Sequence, residues 1–149
     1  MLFLGMNPRF EYFQSQVGQS MAQSISGIGR WLNGTLRVVE PDRMVADYLI
    51  RDDMVNPVGV LHGGAASAIL DDLCGILVFS LGREYGYTSV NLNMDFLNPA
   101  RQGDTITAEA NLMRAGRNII HVEGRITNAE GKLIAKCSTN LVQTGLKLG

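Results

Sequence analysis

The chain has 149 residues, with 13 Lys and Arg against 14 Asp and Glu and a formal net charge of −1 at pH 7. That length suits one domain able to bury a full core without staples, and 46% hydrophobic against 18% charged residues excludes a disordered chain. The charge balance leaves no footprint for non-specific nucleic-acid binding, and two Cys and two His without CxxC or HExxH spacing exclude a disulfide framework and the common zinc sites.

No apolar run approaches the ~18 residues that cross a bilayer. The opening Met1-Leu2-Phe3-Leu4 is too short and too poor in basic residues for a signal peptide. The chain therefore reads as a soluble, cytoplasmic protein with reduced thiols and no membrane association.

Asn7-Pro8 reads as an N-cap followed by Pro at the first helical position. Phe10, Phe13, Val17 and Met21 then share one helical face, which predicts a helix over residues 8–20. Gly27, Gly29 and Gly34 interrupt that pattern, so residues 1–30 form an N-terminal helical extension and residues 31–149 the main domain. Residues 36–40 read as a strand, Pro41-Asp42 as a turn, and Met44, Ala46, Tyr48 and Ile50 alternate after it, which makes a hairpin. Residues 51–61 read as a loop. Over residues 65–81, Ala66, Ile69, Leu70, Leu73, Leu77 and Leu81 make a broad apolar face. Ala68, Cys74, Ile76 and Val78 extend it, so this helix is buried on most sides.

After Gly82 the period becomes alternating. Val90, Leu92, Met94 and Phe96 point one way, and Ser89, Asn91, Asn93 and Asp95 the other. Asn98-Pro99 ends that strand, and three more follow within residues 106–112, 118–126 and 133–142. Short turns between four strands predict an antiparallel meander. One antiparallel sheet wrapped around one long helix is the economical α+β arrangement.

Two consecutive glycines, Gly63 and Gly64, sit where a loop meets the apolar helix, although glycine costs about 1 kcal/mol relative to alanine there. Their presence suggests a close approach to the backbone. A helix N-terminus offers unpaired N–H donors and partial positive charge, suited to polarising a carbonyl. His62 adds a candidate acid or base. A Gly-rich turn with a hydrogen-bonded His accounts for the same residues equally well. Asp71 and Asp72 interrupt the apolar helix, about 100° apart. A carboxylate at a partly dry site can act as general base or nucleophile, while Asp72 reads as a helix-surface or interface charge. Cys74 and Cys137 read as small core residues, and His121 as a surface side chain on the strand face it shares with Glu123 and Arg125.

Residues 56–79, with Thr88-Ser89-Val90-Asn91-Leu92 and Phe96-Leu97-Asn98-Pro99-Ala100, resemble the hotdog-fold acyl-CoA thioesterases. The likeness is to the phenylacetate-degradation type within the 4-hydroxybenzoyl-CoA thioesterase superfamily. The resemblance implies a single-domain hotdog fold that hydrolyses an acyl-CoA to a free acid and CoA. CoA is then part of the substrate, and no metal or other cofactor is called for.

By position, the resemblance implies that the Gly63 N–H polarises the thioester carbonyl, with Gly64 beside it. Asp71 is then base or nucleophile. Asn56 and His62 orient the thioester and assist thiolate departure, and Ser89 positions water or substrate. Arg114, Gly116, Arg117 and Asn118 form a basic hairpin turn that, with the segment from Asn98 to Arg101, approaches the CoA phosphates and pantetheine. An ordinary solvated hairpin is the plain alternative for that turn. A non-catalytic acyl-CoA-binding or sensor protein is the rival reading.

Gly63 and Asp71 lie eight residues apart, about 12 Å along a helix axis, whereas hydrogen-bond reach is ~3 Å. One chain therefore does not easily present both groups to one thioester, and a two-fold dimer is expected. The resemblance implies the same, often with dimers paired into a tetramer.

Overall fold

The computed structural model describes residues 7–148. Helix α1 (Pro8–Ser15) starts as expected: the Asn7 side chain accepts the Phe10 N–H at 3.2 Å and Pro8 opens the first turn. It stops short of residue 20 because Gly18 adopts φ +85° and turns the chain. Backbone bonds from Gly18 N–H to Leu36 O and from Met21 N–H to Gly34 O then bind this segment to the following strand. Met21 is still buried, but from a single 3₁₀ turn, Met21–Gln23, rather than from a longer helix. A short helix α2 (Gly27–Leu32) follows, capped by Ser26, whose side chain accepts the Gly29 N–H.

Strands β1 (Thr35–Glu40) and β2 (Arg43–Leu49) form the expected antiparallel hairpin. Helix α3 (Gly63–Phe79) runs through the middle of the fold. Strands β3 (Tyr85–Phe96), β4 (Thr105–Ala115), β5 (Ile119–Thr127) and β6 (Leu133–Lys147) complete a six-stranded sheet in the order β1-β2-β4-β5-β6-β3. Every pairing is antiparallel. The sheet wraps α3 in the hotdog arrangement.

The expected four-strand meander is only three strands long. Strand β2 takes the open edge of β4, pairing Ala46 with Ala108 and Tyr48 with Ile106. Strand β3 lies at the far edge beside β6, pairing Met94 with Cys137. The β3–β4 connection is therefore a crossover rather than a hairpin. It passes the N-terminal end of α3, where the Leu61 N–H donates to Ala100 O at 2.7 Å.

Small residues set the seat of the helix. Ala110, Gly124 and Cys137 are neighbours across β4, β5 and β6. A Cβ on Gly124 would lie 3.1 Å from Leu70 Cδ2 and 3.0 Å from Cys137 Sγ, so the absent side chain is what lets α3 approach the sheet. Ile69, Leu70, Leu73 and Leu77 are fully buried there, each contributing roughly 1.5–3 kcal/mol. The Cys74 thiol, hydrogen-bonded to Cys137 and buried, is pushed well above its ordinary pKa; both cysteines are free thiols in the core, as expected.

A second difference bears on the site. The register of β3 against β6 shifts between Ser89 and Asn91. The bulge at Val90 breaks the strict alternation, so Ser89 and Leu92 share the helix-facing side instead of pointing opposite ways. Among the described residues, no helix is long and apolar enough to cross a membrane.

Candidate active site

The loop before α3 is held by its own side chains. Asn56 Oδ1 accepts the N–H of Val58 at 3.1 Å and of Val60 at 3.2 Å, and Gly59 supplies the left-handed residue of the turn at φ +84°. The His62 N–H donates to Met54 O at 2.9 Å. These bonds present His62 as the N-cap of α3, where its Nδ1 accepts the Gly64 N–H at 2.8 Å. A capping Nδ1 carries no proton, so Nε2 is the ring's donor. The Gly64 donor is thereby occupied. The Gly63 N–H has no acceptor among the described residues and remains available at the positive end of α3.

Both glycines make room for neighbours within the chain. A Cβ on Gly63 would lie 3.2 Å from the Phe96 ring, and one on Gly64 would lie 3.0 Å from His62 Nδ1. The close approach inferred from the sequence is thus accounted for, in part, by Phe96 and the capping imidazole.

Two turns further along, Asp71 is exposed on α3, and Ser89 Oγ donates to its Oδ1 at 3.2 Å. Both line a cleft of about 620 Å³ between α3 and β3, floored by Ala68, Gly75 and Ile76. Residues absent from the candidate set derived from sequence supply its other walls: Phe13 from α1, Ile25 and Ile28 around α2, and Tyr87 from β3. Their only sequence signal was hydrophobicity, which does not separate cleft from core.

Asp72, read as a helix-surface or interface charge, is half-buried where α3 meets the N-terminal extension. Ser26 Oγ donates to its Oδ1 at 2.7 Å, tying the N-terminal extension to α3. Its Oδ2 is buried without a partner among the described residues, as is the Tyr48 hydroxyl. Burial raises the Asp72 pKa, the neighbouring Asp71 charge adds to the rise, and the Ser26 hydrogen bond offsets part of it.

The two segments assigned to CoA lie apart within one chain. The turn after β4 sits at the C-terminal end of α3, where Arg83 donates to Gly116 O at 3.1 Å and Tyr87 to Arg117 O at 2.6 Å. Arg114, Arg117 and Asn118 are exposed there. Gly116 is required, because a Cβ would lie 2.5 Å from Ile119 O. Asn98 and Arg101 sit at the opposite end of α3; Asn98 Nδ2 donates to Leu133 O at 2.7 Å, and Arg101 bridges to Val60. The 17 residues of α3 separate the two segments by about 25 Å. His121 lies on β5, partly exposed, with Nδ1 2.8 Å from Asn140 Oδ1. Among the described residues, no group of three or more His, Cys, Asp or Glu is arranged to hold a metal ion.

Residues 58–135 match the model of the thioesterase superfamily. The chain belongs to the thioesterase superfamily. It is 27% identical over 103 residues to human acyl-coenzyme A thioesterase 13, covering 68% of this chain and 74% of that protein. Among solved structures, a phenylacetic acid degradation-related protein from Ralstonia eutropha JMP134 is 31% identical, with a TM-score of 0.74 over 82% of this chain and 96% of that one. A thioesterase protein from Streptococcus pneumoniae TIGR4, solved with coenzyme A, shares the fold at 22% identity, with a TM-score of 0.72 over 78% and 89% of the two chains. Membership makes this chain a thioesterase; the choice of thioester depends on its own cleft.

Proposed function

We propose that the protein hydrolyses acyl-CoA thioesters to the free acid and CoA. The observation that carries the reading is the Asp71 carboxylate, held by Ser89 inside an apolar cleft. The unpaired Gly63 N–H at the head of the same helix supplies the complementary donor. In this reaction the Gly63 N–H and the α3 dipole polarise the thioester carbonyl and stabilise the charge that develops on its oxygen. Asp71 either takes a proton from water as the water attacks the carbonyl carbon, or attacks that carbon itself and is freed when water opens the resulting anhydride. In both routes the C–S bond breaks and the CoA sulfur leaves as thiolate, which then takes up a proton. His62 precedes Gly63 in the chain, and its Nε2–H, left free by the Nδ1 cap on Gly64, suits orientation of the thioester.

The two groups lie eight residues apart, about 12 Å along the axis of α3, so the reading includes a homodimer. Gly63 of one protomer then serves the same thioester as Asp71 of its partner. Strand β3 has 12 residues and, among the described residues, one edge without a partner strand, a natural surface for such pairing. An antiparallel pairing of two α3 helices brings the Arg114–Asn118 turn of one protomer toward the Asn98–Arg101 segment of the other. That arrangement makes one CoA-binding surface out of segments that are separate in a single chain. Further pairing of dimers gives the tetramer. A reducing cytoplasmic setting suits the free thiols of Cys74 and Cys137.

The test is a panel of acyl-CoAs followed by thiol release. Wild type turns over at least one member, and Asp71→Ala loses ~10²–10⁴-fold in kcat with fold and oligomer intact. A loss below ~5-fold on the best substrate removes Asp71 from the mechanism. Binding without turnover of any member replaces the hydrolase by an acyl-CoA sensor.

A further inference from the structure

Gly75 lies in the middle of α3, where glycine is the least favourable residue after proline. Gly63, Gly64 and Gly124 each have a neighbour that occupies the space of the missing side chain. Gly75 has none: a Cβ there would meet no heavy atom of the described residues within 4 Å. Packing among the described residues therefore gives no reason for a glycine at this position.

Gly75 does line two cavities. One is the cleft of about 620 Å³ that holds Asp71 and Ser89; the other is a chamber of about 240 Å³ at the C-terminal end of α3. Gly75, Phe79 and Tyr87 belong to the walls of both, so the two spaces adjoin across these three residues, of which Gly75 alone has no side chain. The chamber is otherwise walled by Val78, Tyr85, Gly86, Leu146 and Leu148, together with Arg9 and Arg83.

The Arg9, Arg83 and Tyr87 side chains of this chamber are already engaged, which leaves the Tyr85 hydroxyl as its side-chain polar group without a partner among the described residues. Arg9 donates to Phe79 O at 3.4 Å and Arg83 O at 2.6 Å. Arg83 donates to the Tyr87 hydroxyl at 3.0 Å, Gly116 O at 3.1 Å and Ala115 O at 3.3 Å. The Tyr87 hydroxyl donates onward to Arg117 O at 2.6 Å. What the walls offer an entering group is mainly apolar surface with one hydroxyl, which fits hydrocarbon better than the several amide groups of a pantetheine arm.

We infer that Gly75 is the residue that sets acyl length: its missing side chain joins the cleft at Asp71 to the chamber beyond and admits acyl chains that extend past it. The inference rests on the acyl-CoA reading above. Asp71 and Gly75 are four residues apart, about 6 Å along the helix. An extended hydrocarbon with bonds of about 1.5 Å covers that distance in about five carbons. Acyl groups shorter than this end before Gly75, and longer ones pass it.

The experiment compares wild type, Gly75→Ala and Gly75→Leu on butyryl-CoA and dodecanoyl-CoA. Calorimetric binding of the non-hydrolysable thioether S-dodecyl-CoA and the native mass of each variant are measured alongside. Gly75→Leu is expected to lower kcat/KM for dodecanoyl-CoA at least ~10-fold more than it lowers that for butyryl-CoA. The Kd for the thioether rises in parallel. Gly75→Ala adds a helix former in open space and raises Tm by a few degrees, which confirms that the position tolerates a side chain. Equal losses on both substrates mean that the pantetheine arm, not the acyl chain, passes Gly75, and overturn the inference. Unchanged activity on both overturns it as well. A changed native mass for Gly75→Leu makes residue 75 an interface position and also overturns it. If wild type cleaves neither substrate but binds the thioether in a way that Gly75→Leu weakens, the length gate stands and the hydrolytic reading fails. If wild type does not bind the thioether either, both fail.

Discussion

The two-chain site has a sharp quantitative consequence. Gly63→Pro removes the unpaired donor of the first helical residue of α3 and leaves the backbone in place. Position 63 is the first helical residue, where proline is accepted. His62 before it already has φ −67° and ψ 138°, the extended conformation that a following proline imposes. The new ring meets Phe96, which is 58% exposed and free to swing aside. Loss of one such donor costs about 10²–10³ in kcat, and Asp71→Ala costs ~10²–10⁴, so each homodimer is nearly inactive. In a mixed dimer, the Gly63→Pro protomer still supplies Asp71 and the Asp71→Ala protomer still supplies Gly63. One site is then intact and the other doubly broken. Random pairing makes about half the dimers mixed, so unfolding and refolding the two together restores about a quarter of wild-type activity. The assay is thiol release after co-refolding, with dimer composition read by native mass spectrometry. Mixed dimers without recovered activity, or a wild type that is monomeric, would refute the geometry.

The CoA surface and the buried carboxylate are tested separately. Arg114→Ala with Arg117→Ala should raise KM more than it lowers kcat, because phosphate contacts are remote from the reacting carbon; on a pantetheine thioester without the nucleotide the effect should vanish, and an equal effect there rules out phosphate binding. Asp72→Asn keeps the oxygen that accepts from Ser26 and removes a charge that burial disfavours. Because the folded-state pKa of Asp72 is raised, its ionisation lowers stability as pH climbs from the ordinary carboxylate value of about 3.9 through the raised one, and the penalty persists above. The variant should therefore melt higher than wild type at pH 7, with the gain fading below pH ~4; a Tm at pH 7 that is unchanged or lower would contradict that account.

Much of the fold was legible because local pattern and final environment agree. The apolar run of α3, the β1–β2 hairpin and the Asn7-Pro8 start of α1 rest on periodicity and capping, which act over a few residues. The placement of β3 was not legible. Period-two alternation marks a strand but does not name its partner, and β2 and β6 outcompeted the sequence neighbours for the edges of β4 and β3. The bulge at Val90 was hidden for the same reason. One residue inserted against a partner strand reverses which side chains face the helix, and only the partner defines it.

At the candidate site, the sequence by itself determined the chemistry on offer: a glycine-headed apolar helix, a carboxylate eight residues on, and a strand bearing Ser89. The helical rise also set the 12 Å separation that calls for a second chain, since about 1.5 Å per residue holds in any α-helix. Tertiary structure decided which of these groups are free. The His62 ring occupies the Gly64 donor and leaves that of Gly63 open; Ser26 takes Asp72 while Ser89 takes Asp71. Two adjacent aspartates are alike in sequence, and they part company only because about 100° of helical rotation turns one toward the N-terminal extension and the other toward the cleft.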